Sequence, residues 1–205
     1  MKKRILSIFL CSLILTSGVC GCRKDKSTKD TSQSSSSVEK TDFKTMEPPV
    51  DGWTNQEFFD ISYICGKKIN LPATLDSLGS NFEFDKKSIE VNEEKQYAKA
   101  DVLYKGDFLG KVRIDNVDNI DDINKNTPLT SLLIDSNLCE VKSCTPVVIN
   151  GLTFGDSYDS ILETMGNSFE DKNGICDFKD VKSERIVCKL SIKKEVIDII
   201  ILNFN

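Results

Sequence analysis

Apolar and polar positions alternate with a period of two through several stretches of the chain, and fall into a helical period in one short stretch. Alternation marks a half-buried strand, because successive side chains of an extended backbone point to opposite faces. In EFFDISYIC, residues 57–65, Phe59, Ile61, Tyr63 and Cys65 lie on one side and Asp60 and Ser62 on the other, which predicts a strand. Thr54 and Glu57 also match a helix capping box, but the period-two run that follows favours the strand. Gly66-Lys67 can supply a tight turn with glycine first, returning the chain through Lys68-Ile69-Asn70-Leu71. Pro72 to Gly79 reads as a short helix that starts near a proline and stops at a glycine. Ala98, Ala100, Val102 and Tyr104 then alternate against Lys99 and Asp101. Across Lys105-Gly106-Asp107, Phe108, Val112 and Ile114 alternate against Lys111 and Arg113, so a hairpin with one wet face is expected.

The second half follows the same plan. In DSYDSILETMG, residues 156–166, Tyr158, Ile161, Leu162 and Met165 fall at i, i+3, i+4 and i+7, with an Asp able to cap the start and a Gly to close the end. Ile186, Cys188, Leu190 and Ile192 alternate with Arg185, Lys189 and Lys193, and the terminal run Val196 to Phe204 is of strand length, too short to cross a membrane. Aligning Gly79 with Gly166, 87 residues apart, sets LDSLGSNFE (75–83) against LETMGNSFE (162–170), with Phe82 and Phe169 three residues past each glycine. The expected fold class is α+β: two tandem repeats, each a short helix packed on an antiparallel β-meander, the first over 50–140 and the second over 141–205.

The motif INGLTFGDSYDSILETMG (149–166) followed by strands resembles the repeat of the β-lactamase inhibitory protein and of the small outer-membrane lipoproteins of the barrel-assembly machinery. Together with GKKINLPATLDSLG (66–79) it is similar to a group of uncharacterised clostridial-type surface lipoproteins. The resemblance covers most of residues 60–170. It implies helices packed twice on an antiparallel sheet, and no mechanism, because fold does not carry function with it.

Composition changes the picture most at the N-terminus. Lys2, Lys3 and Arg4 precede an apolar run from Ile5 to about Leu15, and small residues follow at Ser17, Gly18 and Gly21, the layout of a secretory signal over 1–21. Val19-Cys20-Gly21-Cys22 resembles the lipobox of bacterial lipoproteins, in which the cysteine after the cut receives diacylglycerol. Cys22 fits because Gly21 precedes it; Cys20 fits worse, with branched Val19 in that place. The expected location is extracytoplasmic, on the cell membrane, with acyl chains contributing roughly 0.8 kcal/mol per buried methylene. Residues 22–49, rich in Ser, Thr, Lys and Asp, have too little apolar surface to offset the entropy of ordering and read as a flexible tether. Loss of residues 1–21 removes three bases and no acid, taking the formal charge from −5 to −8. An acidic exported chain with no basic patch argues against nucleic acid and against electrostatic adhesion to anionic lipid.

The chain has no histidine, which excludes a Ser-His-Asp triad, a Cys-His pair and any histidine-containing zinc site. A Cys-only zinc site wants paired short spacings, and Cys139/Cys144 with lone Cys176 and Cys188 match poorly. The acidic run Asp115 to Asp122 lacks the turn glycine and distal glutamate of an EF-hand loop and reads as a solvated loop. Neither metal nor cofactor is expected. Of the cysteines beyond the tether, Cys176 and Cys188 are candidates for a cross-strand disulfide, with two buried thiols the alternative, and Cys139 with Cys144 for a small closed loop. Cys65 belongs to a buried alternation and is the natural free thiol. A folded part of about 155 residues is too small for the two lobes of a transporter receptor. The expected function is a non-catalytic, lipid-anchored binding module whose partner is a protein or envelope component; the alternative is an envelope enzyme that works with acidic residues alone, as in glycoside-type hydrolysis.

Overall fold

In a computed structural model that describes residues 42–204, Thr54 begins a helix, α1 (Asn55–Asp60), and not a strand. The Thr54 side chain accepts from Glu57 N at 3.2 Å and Glu57 Oε2 accepts from Thr54 N at 3.0 Å. Two of the helix's orphan N–H groups are thus satisfied reciprocally, and both Phe58 and Phe59 are buried, which a half-exposed strand cannot do with adjacent residues. The extended stretch is shorter than the alternation suggested, β1 (Ser62–Ile64), paired with β2 (Lys67–Lys68). The turn between them is Cys65-Gly66, with φ of 47° and 75°, one residue earlier than Gly66-Lys67. Two successive positive φ values suit the right-handed twist of a two-residue hairpin.

The next helix, α2 (Leu75–Leu78), has its own capping box from Thr74 and Ser77, ends at Gly79 and buries Leu75 and Leu78. There follow β3 (Phe82–Phe84), β4 (Glu90–Asn92), β5 (Tyr97–Tyr104), β6 (Asp107–Asp115), a 3-10 turn (Ile120–Asp122), β7 (Ser131–Asp135) and β8 (Val147–Ile149). Then come α3 (Tyr158–Met165), β9 (Phe169–Asp171), β10 (Ile175–Lys179), β11 (Ile186–Lys193) and β12 (Val196–Asn203). Ser157, not Asp156, caps α3, and Gly166 closes it. Asp156 instead accepts from Thr153 N at 2.7 Å. The core takes Ile161 and Met165, while Leu162 is only half-buried.

These strands form a three-stranded sheet, β2-β1-β8, and a nine-stranded one in the order β3-β5-β6-β7-β12-β11-β10-β9, with β4 also pairing β5. Every pairing is antiparallel. The hairpin across Lys105-Gly106 is present, but Leu109 is an extra residue between the Val102↔Gly110 and Leu103↔Phe108 pairs. The bulge gives Leu109 the buried place and leaves Phe108 half-buried. Val187 plays the same part in β11, between the Phe178↔Cys188 and Lys179↔Ile186 pairs.

One face of the large sheet carries Ala98, Val102, Val112, Ile134, Ile200, Leu190 and Phe178 into a core shared with all three helices. Phe58 of α1 meets Phe178 of β10 at 6.0 Å, and Phe59 meets Phe204 at 5.6 Å. The Trp53 indole N–H donates to Met165 O of α3 at 3.0 Å. The boundary expected at 140/141 therefore falls in a connection that both sheets straddle, since β1 pairs β8 and β7 pairs β12 across it.

The segment 42–49, expected to belong to the tether, is in part laid on this body. Lys44 N donates to the Tyr63 hydroxyl at 2.9 Å, Met46 N to Asn150 Oδ1 at 2.7 Å, and Phe43 meets Tyr63 edge-on at 5.1 Å. Asn150, itself buried, returns its amide to Met46 O and Thr164 O, each at 2.8 Å, so one side chain ties the segment to α3. The signal over 1–21, Cys20, Cys22 and the tether up to residue 41 lie outside the described residues.

Candidate functional site

Both arginines of the described residues, Arg113 and Arg185, line one cavity of about 810 Å³ at an end of the large sheet. Four adjacent strands reach that end: Arg113 of β6 faces Ser131 of β7, Ser131 faces Asn203 of β12, and the Asn203 amide donates to Ile186 O of β11 at 3.1 Å. Arg185 stands immediately before Ile186, so the ladder itself brings together residues 72 apart in sequence. Lys95, from the β4–β5 connection, and Asp115 and Asp122, from the acidic run, complete the charged rim over a floor that includes buried Val117 and Leu129.

The Arg113 guanidinium is held on two sides. Its Nε donates to Asp115 Oδ1 at 2.6 Å, and its Cζ lies 4.2 Å from the centroid of the Tyr97 ring. Asp115 N donates to Thr130 Oγ1 at 2.9 Å, and Thr130 N to Arg113 O at 2.8 Å. Among the described residues neither Arg185 nor Lys95 makes an ion pair. With three cations against two carboxylates, the rim has one positive charge in excess on an otherwise acidic chain. Planar, multiply donating guanidinium groups at the mouth of a cavity suit a carboxylate or phosphate group.

The face of the large sheet away from the core carries a second ordered array. Reading across neighbouring strands, Asp101, Lys111, Leu133, Ile201, Lys189 and Asp177 stand opposite one another in one continuous row. Lys111 pairs with Asp101 at 3.1 Å and Lys189 with Asp177 at 2.8 Å. Glu170 of β9 extends the row beside Asp177, and Lys172 and Lys179 lower its pKa to about 2.

The cysteines fall into two groups. Register places Cys176 opposite Leu190 and Phe178 opposite Cys188, so Cys176 and Cys188 are diagonal and not facing, and both are fully buried thiols. Desolvation, aided by Asp171 and Asp177, pushes Cys176 up to about 11, and burial drives Cys188 well above an ordinary thiol. Cys139 and Cys144 are also thiols, and Cys65 lies with them; burial raises both Cys65 and Cys139. Among the described residues no group of His, Cys, Asp or Glu is arranged to hold a metal ion, and no helix is long and apolar enough to cross a membrane.

Arg113 was visible in the sequence only as a residue on the wet face of a hairpin. Its rarity was the available signal: arginine occurs at four positions, 4, 23, 113 and 185, in a lysine-rich chain. That the two in the folded part meet depends on the β7–β12 pairing, which no local pattern encodes. No protein-family model, no curated protein and no solved structure matches the chain.

Proposed function

We propose that the chain is a lipid-anchored extracytoplasmic binding module, fixed to the cell membrane through Cys22, whose sheet-end cavity takes a carboxylate or phosphate group of a protein or envelope component. The observation that carries the ligand class is the convergence of Arg113, Arg185 and Lys95 on one cavity, with two of the three cations unpaired. The alternative, hydrolysis by carboxylates alone, calls for an acid kept protonated near neutral pH. Among the described residues the carboxylates with displaced pKa values, Glu57, Asp60, Glu170 and Asp180, are all displaced downward by hydrogen bonds or by lysines.

The folded part reads as two copies of a helix followed by a four-stranded meander. Supporting this are the strand orders on either side of the central β7–β12 pair, which mirror each other, and the base–acid pairs at equivalent steps, Lys111–Asp101 and Lys189–Asp177. Phe82 and Phe169, three residues after Gly79 and Gly166, begin β3 and β9. The likeness to clostridial-type surface lipoproteins and to the β-lactamase inhibitory protein repeat agrees with this plan and adds no ligand.

The test uses the full chain. Titration calorimetry with inorganic phosphate and with a tetraglutamate peptide should show binding that weakens as salt rises, and Arg185→Ala should weaken it about 10–100-fold, the worth of one charge-assisted hydrogen bond or two. Equal affinity in Arg185→Ala, or no binding of either probe, would remove the cavity from the proposal. In the producing cell, Cys22→Ala should abolish incorporation of a labelled fatty acid; label persisting in that variant would sink the anchor.

A further inference from the structure

Five cysteines occur among the described residues, and the fold treats them differently. Cys176 and Cys188 sit within a regular antiparallel ladder, two residues out of register, where diagonal neighbours are about 7–8 Å apart between Cα atoms, beyond the usual reach of a disulfide. Both are also fully buried, which closes them to an oxidant. Cys65 is placed otherwise. It occupies the first position of the β1–β2 turn at φ 47°, and its N–H donates to Pro146 O at 3.0 Å, continuing the β1–β8 ladder by one step. Two residues before Pro146 the incoming chain bends at Ser143-Cys144, outside any strand, and the ladder's diagonal spacing no longer applies. Cys144 precedes by two residues the Pro146 carbonyl that the Cys65 N–H holds, and burial, then the neighbouring Cys144 thiol and more weakly Cys139, raise the Cys65 thiol. Cys144 is half-exposed; Cys65 and Cys139 are buried.

We propose that Cys65 and Cys144 are an oxidation site that closes a disulfide between the β1–β2 turn and the β7–β8 connection. The oxidant is a disulfide compound, such as the active-site disulfide of an exported oxidoreductase. The Cys144 thiolate attacks one of its sulfurs, giving a mixed disulfide and releasing one thiolate. The Cys65 thiolate then displaces the second, forming the Sγ–Sγ bond. Two thiol protons pass to solvent or to the leaving thiolates, the cysteines lose two electrons, and the oxidant becomes a dithiol. Exposure assigns the order of events: only the half-exposed thiol can meet the oxidant first, and the buried one resolves the intermediate. The loop so closed, 65–144, contains α2 and β3 to β7 and locks that whole unit covalently to the small sheet. The inference does not depend on the anion cavity.

The full chain, purified reduced, should be exposed to oxidised glutathione, alkylated and mapped without reduction. The expected result is a single intramolecular peptide pair joining Cys65 to Cys144, with Cys139, Cys176 and Cys188 alkylated after unfolding. Oxidation should raise the thermal midpoint by about 5–15 °C, as restriction of a long loop in the unfolded chain predicts. Cys139→Ser should keep the link and the rise, and Cys144→Ser should lose both. A Cys139–Cys144 or Cys176–Cys188 link, five alkylated thiols after oxidation, or a rise that survives Cys144→Ser would each overturn the proposal. Because Cys65→Ser alters a buried position in a strained turn, the Cys144 variant decides the matter.

Discussion

Asp180 shows how much a single carboxylate can do when it faces backbone donors. It is buried, and its oxygens accept from Asn55 N and Ser183 N, each at 3.0 Å, and from the Ser183 hydroxyl, joining the first turn of α1 to the β10–β11 connection. Hydrogen bonding from Ser183, then from the Asn55, Lys182 and Ser183 amides, outweighs burial and lowers its pKa. A folded-state pKa below the unfolded value stabilises the fold above the ordinary aspartate range near pH 4; that contribution is lost as pH falls through the depressed folded value. Asp180→Asn should therefore lower stability at pH 7 by about 1 kcal/mol and flatten the acid limb of a plot of thermal midpoint against pH. An acid limb unchanged in Asp180→Asn would show that the carboxylate charge is not what these amides require. Gly110 makes a different point at the same scale: a Cβ there would stand 2.3 Å from Leu133 O, so the close β6–β7 approach depends on the missing side chain. Neither role can be read from the sequence, because the donors around Asp180 and the carbonyl beside Gly110 arrive from distant segments.

At the scale of the element, local signals were legible where capping and period agreed. The helix over 158–165 could be read because Ile161 and Met165 repeat at helical spacing and Gly166 ends it, and the β5–β6 hairpin because Lys105-Gly106 breaks two clean alternations. The stretch 57–65 misleads because four helical residues and three extended ones together mimic an alternation; the capping box is the truer sign, with tertiary burial of adjacent Phe58 and Phe59 deciding the outcome. The bulges at Leu109 and Val187 have no local signal, because a bulge is set by the partner strand. The buried face of α3 is testable. Ile161 is fully buried, so Ile161→Ala should cost about 2–5 kcal/mol in denaturant unfolding, from lost transfer energy and the cavity left behind. Half-buried Leu162 should cost clearly less, and exposed Glu163→Ala should stay within about 0.5 kcal/mol. If Leu162→Ala proves the most damaging of the three, the helix is rotated from the position described.

At the scale of the molecule, the two halves are bound into one body by pairings that a repeat in sequence does not announce. The motif spacing marks two tandem repeats, and the central pair of the large sheet is β7 with β12, five residues of each in register from Ser131↔Asn203 to Asp135↔Ile199. The small sheet joins β1 to β8 by three more pairs, and α1, from the first half, lends Phe58 to Phe178 in the second. A half taken alone would expose a long unpaired sheet edge and the apolar surface its partner covers, and a 65-residue piece buries too little to compensate. Fragments 42–140 and 141–205, made separately, should each lack a cooperative unfolding transition and the dispersed amide spectrum of a packed domain. Mixed at equal concentration they should recover both, with a midpoint that rises with concentration because assembly of the body is then bimolecular. Independent folding of 141–205 would make 140/141 a domain boundary and mean that the β7–β12 pair is an interface between two domains, not the middle of one. In that event the cavity lined by Arg113 and Arg185 would lie between domains, and its anion affinity should survive only in the mixture.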